Sequence, residues 1–403
     1  MNGIILAAVV GVLFFLAVGS GLDILFKFAY TALGVLVIAF AWAKLSLRGV
    51  SLERRAAALR GQVGDELSEH FTLHNGSLIP KAWLAMQDYS SLPDHRVGRA
   101  LSPKPHSDLK WRVSTICKAR GRFQLGPAML RSGDPFGLFE ERRRVGNGVT
   151  VVVYPATAHL THFPLPGGAL FGGSNRRERT DQVTPNAAGV REYVAGDSFN
   201  RIHWLSTARL SKLMVKEFEP DPIADLWIAL DMDGTVHAGT APESSEEYAV
   251  HAAASLARHF LSQGWAVGLL SVAEQHHDLP PERGDRQLLK LMEELAVIRA
   301  SGTAPLGELL ISEDARFGRR TTVIAISPST SLDWVAALRS YLARGVRTVA
   351  MVIDASSFGG PEPSGEVTAA LQGAGIATYV FGKGDRLADV VAAGTAAVAT
   401  SNA

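Results

Sequence analysis

The sequence predicts a multidomain membrane protein: an N-terminal transmembrane helical hairpin, a β-sandwich-like domain, and a C-terminal α/β domain built on a parallel sheet. Three observations carry this. The first 43 residues are almost free of polar side chains. Short alternating runs separated by turn signals follow. After Asp225, solid apolar runs alternate with segments of helical spacing. The boundaries fall at 1–47 for the hairpin, 48–163 for the β-rich domain, 164–222 for a linker with a dense polar signature, and 223–398 for the α/β domain.

Composition narrows the function classes. The 403 residues carry 40 Lys+Arg against 39 Asp+Glu, a formal net charge of +1. That balance lacks the global basic excess of a nucleic-acid binder, so no nucleic-acid partner is expected. With 47% hydrophobic residues the chain is too apolar to be disordered. A single cysteine, Cys117, supports neither an intrachain disulfide nor a four-cysteine zinc site.

The hairpin comes first. Gly3 to Gly19 contains no polar side chain, and Ser20-Gly21-Leu22-Asp23 makes a turn. Ile24 to Ala43 is apolar apart from Lys27, Tyr30 and Thr31. Roughly 17–25 such residues cross the hydrocarbon core, and Lys27, near a span end, reaches the headgroups by snorkelling. A cleaved leader would want a basic start and a small-residue cleavage site. Here no Lys or Arg precedes the first run, and a second span follows at once. Lys44, Arg48, Arg54, Arg55 and Arg60 follow that span against Glu53 alone, while the turn between the spans carries only Asp23. The positive-inside rule then puts the rest of the chain in the cytoplasm.

From Val50 to Pro155 the pattern is strand-like. Leu67 to Leu73 alternates, His74-Asn75-Gly76-Ser77 is a hairpin-type turn, and Trp111 to Ile116, Arg122 to Leu125 and Val149 to Tyr154 continue the β character. With no period of 3.6, an antiparallel sandwich is expected. Pro164 to Gln182, with its glycines and Arg176, Arg177 and Arg179, reads as a solvated, mobile linker rather than an anion site.

The last segment has strands at Leu226 to Leu230, Ala266 to Val272, Thr322 to Ile326, Thr348 to Ile353 and Ala377 to Phe381. Helical segments run from Glu246 to Leu261, Gln287 to Ile298 and Asp333 to Ala343, with a last one from Arg386. Solid apolar strands alternating with helices give a Rossmann-like parallel sheet covered on both faces. Ligands of such sheets sit beyond the carboxyl ends of the strands.

Asp231-Met232-Asp233-Gly234-Thr235 lies at such an end. One reading is a magnesium-dependent phosphatase resembling the haloacid dehalogenases, with Asp231 attacking phosphorus and Asp233 as acid/base. Ser327 would be its strand-end hydroxyl. However, no lysine lies between Ser327 and Asp354, and Asp354 stands alone where an acidic pair is expected. The other reading resembles the metal site of von Willebrand factor A-like domains, whose first loop is Asp-x-Ser-x-Ser. Asp231 matches, Asp233 and Thr235 replace the serines, Thr303 supplies the second loop, and Ser327 stands where the third loop has Asp. Oxygen donors of this kind suit magnesium or calcium, with a partner carboxylate completing the set. A plainer reading has these groups capping helices and closing a loop, or Asp233 paired with an arginine. No catalytic residue is assigned.

The densest polar segment is Val190 to Asp197, followed by Arg201-Ile202-His203-Trp204, Thr207-Ala208-Arg209 and Leu213 to Glu219. Arg191, Tyr193, Gly196, Asp197, Arg201, Trp204 and Arg209 are the docking candidates. Asp197 or Ser198 would cap a short helix, and Lys212 to Phe218 alternates as a strand would. His203 as a base beside Asp197 lacks a nucleophile. Energetically, a buried web of Arg–carboxylate pairs with an aromatic anchor, clamping linker to domain, is the preferred reading.

These residues resemble a known family, the bacterial domain of unknown function family 58. The resemblance rests on Gly189, Arg191, Tyr193, Gly196 and Asp197, on Arg201-Ile202-His203-Trp204, on Ala208-Arg209 and on Lys216-Glu217. Upstream it extends to Arg120-Gly121-Arg122-Phe123, Leu125-Gly126-Pro127, Asp134-Pro135-Phe136-Gly137-Leu138-Phe139 and Val153-Tyr154-Pro155. It implies a multi-pass protein of the bacterial inner membrane with cytoplasmic β and von Willebrand factor A-like domains. Members are commonly encoded beside MoxR-type AAA+ ATPases, and the family has no assigned enzymatic activity. The implied function is a membrane-tethered adaptor that docks such an ATPase, with the phosphatase as the competing reading.

The chain should remain in membranes through carbonate washing, and deleting Met1 to Lys44 should release it. Access to a tag at Ala403 from the periplasmic side would reverse the topology.

Overall fold

Residues 2–78, 81, 83–165, 187–193, 202–218 and 225–401 are described in the computed structural model. The chain divides into two units, Met1–Ala156 with Met292–Val297, and Thr157–Leu291 with Ile298–Ala403.

In the first unit, α1 (Asn2–Ser20) and α2 (Asp23–Ser46) form a hairpin. Both are long and apolar enough to cross a membrane, and only 11% of each span is buried inside the protein. A core helix of a soluble domain would be covered by its neighbours; these helices present apolar side chains on every side. The end of α2 is different. Ala39, Ala43, Ser46 and Leu47 are buried. Lys81 Nζ donates to the carbonyls of Leu45 (3.3 Å) and Arg48 (3.2 Å), so a buried ammonium meets the negative end of the helix dipole. Burial pushes the Lys81 pKa below its ordinary value.

Nine strands follow among the described residues: β1 (Val50–Ala56), β2 (Arg60–Gln62), β3 (Glu66–Asn75), β4 (Leu84–Ser90), β5 (Gly98–Leu101), β6 (Ser107–Ile116), β7 (Gly121–Gly133), β8 (Glu140–Val145) and β9 (Val149–Tyr154). One sheet is β1-β3-β6. The other is β2-β9-β7-β4-β5, with β8 added on β7. All pairs are antiparallel except β2 with β9, so the second sheet is mixed where a purely antiparallel one was expected. Leu52, Phe71 and Leu73 from the first sheet share a core with Leu84, Met86, Ala128 and Leu130 from the second.

An ionic cluster ties the two sheets together. Arg54 of β1 and Glu69 of β3 approach to 3.2 Å, and the Arg54 guanidinium also pairs with Asp88 of β4. His95 Nε2 lies 3.2 Å from both carboxylates. All four side chains are buried, and desolvation raises the Glu69 carboxyl against the pull of Arg54 and His95.

The second unit begins with residues 157–165, which belong with it rather than with the β-rich domain. Next, β10 (Ala187–Glu192) pairs antiparallel with β11 (Met214–Phe218), and α3 (Trp204–Leu210) lies between them in sequence. The order continues β12 (Asp225–Asp231), β13 (Gly239–Thr240), β14 (Glu243–Ser244), α4 (Ser245–Ser262), β15 (Ala266–Val272), β16 (His276–Glu282), α5 (Asp285–Val297), α6 (Leu306–Ser312), β17 (Thr321–Ser327), α7 (Asp333–Ala343), β18 (Arg347–Ile353), α8 (Gly365–Gly373), β19 (Ala377–Phe381) and α9 (Leu387–Ser401). The strap at 157–165 is pinned to α4: the Ala158 amide donates to Ser255 Oγ, His259 Nδ1 lies 2.9 Å from the Leu160 carbonyl, and Phe163 packs on Phe260.

The main sheet runs β16-β15-β12-β17-β18-β19. Its strands are parallel except β16, which the sequence did not announce. The segment His276–Glu282 is half exposed and carries Pro280 and Pro281, which an edge strand tolerates. α6, α7 and α8 pack through Leu309, Leu310, Trp334, Leu338 and Leu371 onto Ala229, Val323, Ala325 and Val352. Successive crossovers leave β12 in opposite directions, so the switch point lies between the carboxyl ends of β12 and β17.

Replacing Arg54 with Met would leave two buried carboxylates facing His95 alone. Urea denaturation in detergent should show the first unit losing about 3–5 kcal/mol, while an unchanged midpoint would mean that the cluster contributes nothing to the sandwich.

Candidate functional site

Asp231 ends β12 and Ser327 ends β17, so the two face each other across the switch point. Ser327 Oγ donates to Asp231 Oδ2 at 2.5 Å, and the Asp233 amide donates to Asp231 Oδ1 at 3.1 Å. Both oxygens of Asp231 are therefore engaged. Asp233 Oδ1 accepts from the amide (2.9 Å) and hydroxyl (2.8 Å) of Thr235. Among the described residues Asp233 makes no ion pair, so the expected arginine partner is absent there and Thr235 occupies the carboxylate instead.

The second loop meets the first through backbone. Gly302 and Asp233 form a parallel bridge, the Gly234 amide donates to the Gly302 carbonyl, and the Gly302 amide donates to Met232. A Cβ on Gly302 would fall 2.6 Å from the Val272 carbonyl oxygen, which is why glycine stands there. Thr303 follows as an exposed residue, beside the first loop through Gly302 rather than through its own side chain. Asp231, Asp233, Thr235 and Ser327 are thus gathered into one network, with Thr303 at its rim.

Two further features escaped the sequence reading. His237 Nε2 lies 3.0 Å from the Asp231 carbonyl and its Nδ1 lies 3.0 Å from Ser245 Oγ, tying the loop to the start of α4. Beyond β17, the Ser329 amide donates to Ser327 Oγ and the Ser331 amide to Ser329 Oγ, and the Ser331 hydroxyl reaches Asp333 at the start of α7. The alternation of serines at 327, 329 and 331 was the available signal.

Asp231 is 2% exposed. Burial pushes its carboxyl up to about 6. The Ser327 and Asp233 hydrogen bonds pull it down, and the charge of Asp233 pushes it up. The fit to a divalent cation is poor. The carboxylate that would lead the ligand set already holds a donor on each oxygen, from Ser327 and from the Asp233 amide. Among the described residues no three His, Cys, Asp or Glu side chains converge as metal ligands. The network is complete as a polar closure of the sheet end.

The signature residues are arranged otherwise. Arg191 in β10 sits opposite Val215 in β11, and the Tyr193 amide donates to the Leu213 carbonyl. His203 caps α3, its Nδ1 accepting from the Ser206 amide at 3.3 Å, and the Met214 amide donates to Thr207 Oγ1 at 3.1 Å. This makes His203 the capping group of α3; a cap at Asp197 or Ser198 would lie outside the described residues. Trp204 is 68% exposed, with Leu205 at 64% and Leu210 at 59%. The expected aromatic anchor is therefore not buried: it is presented on the surface, beside exposed Arg209. Gly196, Asp197 and Arg201 lie outside the described residues, as does the segment 166–186.

Residues 189–358 match the family described as "Protein of unknown function DUF58". That stretch contains most of β10, and α3 and the whole Asp231 network. The chain is 24% identical to the uncharacterized protein YeaD of Bacillus subtilis (strain 168) over 314 residues, covering 75% of this chain and 76% of YeaD. It is 27% identical to the uncharacterized protein Rv1480 of Mycobacterium tuberculosis (strain ATCC 25618 / H37Rv) over 161 residues, 38% of this chain and 50% of that protein. A solved structure, the CARDB domain of the PF1109 protein from Pyrococcus furiosus, aligns with 26% of this chain and 91% of its own, at 10% identity and a TM-score of 0.21.

The Asp231 proton binds the folded state more tightly than the unfolded one, since its folded value lies above the ordinary carboxyl value. Its contribution to stability is full below about pH 4 and lost as pH rises through about 6, at a cost of ~3 kcal/mol at neutral pH. Asp231→Asn should therefore raise stability at pH 7.5 by about 1–3 kcal/mol and leave it unchanged near pH 4. Paired thermal melts at the two pH values read this directly; a variant less stable at pH 7.5 would show that the charge holds the loop.

Proposed function

The chain is a DUF58 protein, and we propose that it is a membrane-tethered adaptor. Its N-terminal hairpin would hold it in the bacterial inner membrane, with the soluble domains in the cytoplasm and the α/β domain docking a partner of the MoxR-type AAA+ ATPase class. The observation that carries the docking role is the exposed apolar face of α3. A tryptophan and two leucines turned to solvent, on a helix fixed by a His203 cap and a Thr207 bond to β11, form the kind of aromatic anchor that dominates protein interfaces.

Two observations support the membrane reading and its orientation. The spans are exposed along their length, and Lys44, Arg48, Arg55 and Arg60 follow them. Arg54 ends in a buried ion cluster, but orientation is decided while the chain is still unfolded, so it counts as well. A von Willebrand factor A-like reading of the C-terminal domain is supported by its strand order, with one antiparallel edge and the Asp231 loop at the switch point. Any cation there would have to displace the internal hydrogen bonds to Asp231, with a partner carboxylate completing its ligands.

The phosphatase reading is weaker. A nucleophilic aspartate must offer phosphorus a free, ionised oxygen, whereas Asp231 is buried with both oxygens engaged.

Affinity purification of the full chain from membranes should recover a AAA+ ATPase, and Trp204→Ala combined with Leu205→Ala should lower that recovery at least about tenfold without changing membrane retention. Undiminished recovery would place the docking face elsewhere. Phosphomonoester turnover that vanishes in Asp231→Asn would favour the enzyme.

A further inference from the structure

The loop between β7 and β8 shares the level of the apolar helix ends. The Phe139 ring meets Phe40 of α2 edge-on, with centroids 5.5 Å apart. A Cβ on Gly3 of α1 would fall 2.5 Å from the same ring, so α1 also rests on it. Phe40 lies one turn before Lys44, about 6 Å toward the apolar side. Phe139 therefore sits where charged residues give way to apolar ones, and so does its loop.

That loop is built rigidly. Asp134 is fully buried, and its carboxylate accepts from the amides of Phe136 (2.8 Å) and Phe139 (2.6 Å). Phe136 is thereby fixed at the tip, and it is 65% exposed. An immobilised, uncovered phenylalanine beside two apolar helices has the geometry of an interfacial anchor.

The strand that follows is basic. Among the described residues β8 pairs with β7 along one side only. Glu141 is 2.9 Å from Lys44, and the Arg143 guanidinium donates to the Val50 carbonyl, so one face of β8 is bound to the end of α2 and the chain just beyond it. Alternation turns Arg142 and Arg144 to the other face. Both are exposed, and among the described residues Arg142 is held only by a surface pair with Glu140 at 2.9 Å. Lys44, Arg48, Arg142, Arg143 and Arg144 stand against two carboxylates, Glu140 and Glu141. Anionic headgroups complement such a cluster, through attraction that acts within a Debye length of the surface.

We propose that the Asp134–Phe139 loop and β8 form a second membrane attachment, in which Phe136 enters the lipid interface and Arg142 and Arg144 bind anionic phospholipid headgroups. The inference rests on reading α1 and α2 as membrane spans.

The test uses the full chain in nanodiscs. Cys117 is buried and its thiol is pushed above its ordinary value, so it leaves introduced cysteines as the reactive sites. Fluorophores go at Pro135→Cys, beside the tip, and separately at Phe15→Cys, which is 80% exposed on α1. In phosphatidylglycerol nanodiscs, headgroup-nitroxide lipid should quench the label at 135 and deep-chain nitroxide lipid the label at 15. Quenching at 135 should fall by at least about threefold in phosphatidylcholine, and equally in an Arg142→Glu, Arg144→Glu variant in phosphatidylglycerol. Quenching at 15 without quenching at 135 overturns the second attachment and leaves the spans standing. Quenching at neither site overturns both. Quenching at 135 that ignores lipid charge and the reversed arginines overturns the headgroup contact. The label at 15 reports whether the charge-reversed variant is still inserted.

Discussion

At the carboxyl end of the main sheet, one hydrogen bond bridges the place where a parallel sheet is naturally open. The connections that follow β12 and β17 part there, because the crossovers leave in opposite directions. Ser327 Oγ spans the gap to Asp231, and the rest of the loop architecture is hung on that pair. The Asp231 carboxylate orders Asp233, Asp233 orders Thr235, and the Asp231 carbonyl meets His237, which reaches the start of α4. On the other side Ser327 orders Ser329, which passes the chain through Ser331 to α7. A charged group this deep is destabilising, and the hydroxyl and amide donors here offset that cost only in part.

Much of this was legible before the fold was. The spans are readable because bilayer thickness imposes a length, and five of the six main strands because burial on both faces demands unbroken apolar runs. β16 was missed for the matching reason: an edge strand need not be apolar, and His276–Glu282 has the texture of a loop. β8, with three consecutive arginines, was missed for the same cause. The Asp231 loop could be read because a short polar motif at the end of an apolar run is conspicuous. Ser327 was found by counting strands, and His237 had no local pattern to mark it. Exposure was the hardest property to foresee. A tryptophan among charged residues argued for a buried anchor, yet nothing in residues 203 to 213 records what covers Trp204.

Two kinds of buried charge have different tasks. In the sandwich, Arg54, Glu69, Asp88 and His95 are internal to the packing and link strands of opposite sheets. They specify how the sheets mate, because a slipped register would strand a charge. In the α/β domain, Asp231 is buried at the carboxyl end of the sheet rather than in its middle.

The lysine beneath the last turn of α2 has a mechanical consequence. A helix that ends in free carbonyls frays, and motion of its far end dissipates in the frayed turn. Lys81 holds the Leu45 and Arg48 carbonyls, and Ala43 and Leu47 are packed beneath them, so the joint has no slack. In a bilayer, tilting of α2 with thickness or tension would therefore turn the sandwich with it. The connection is a stiff lever, unlike the swivelling tether a Gly/Ser linker would make.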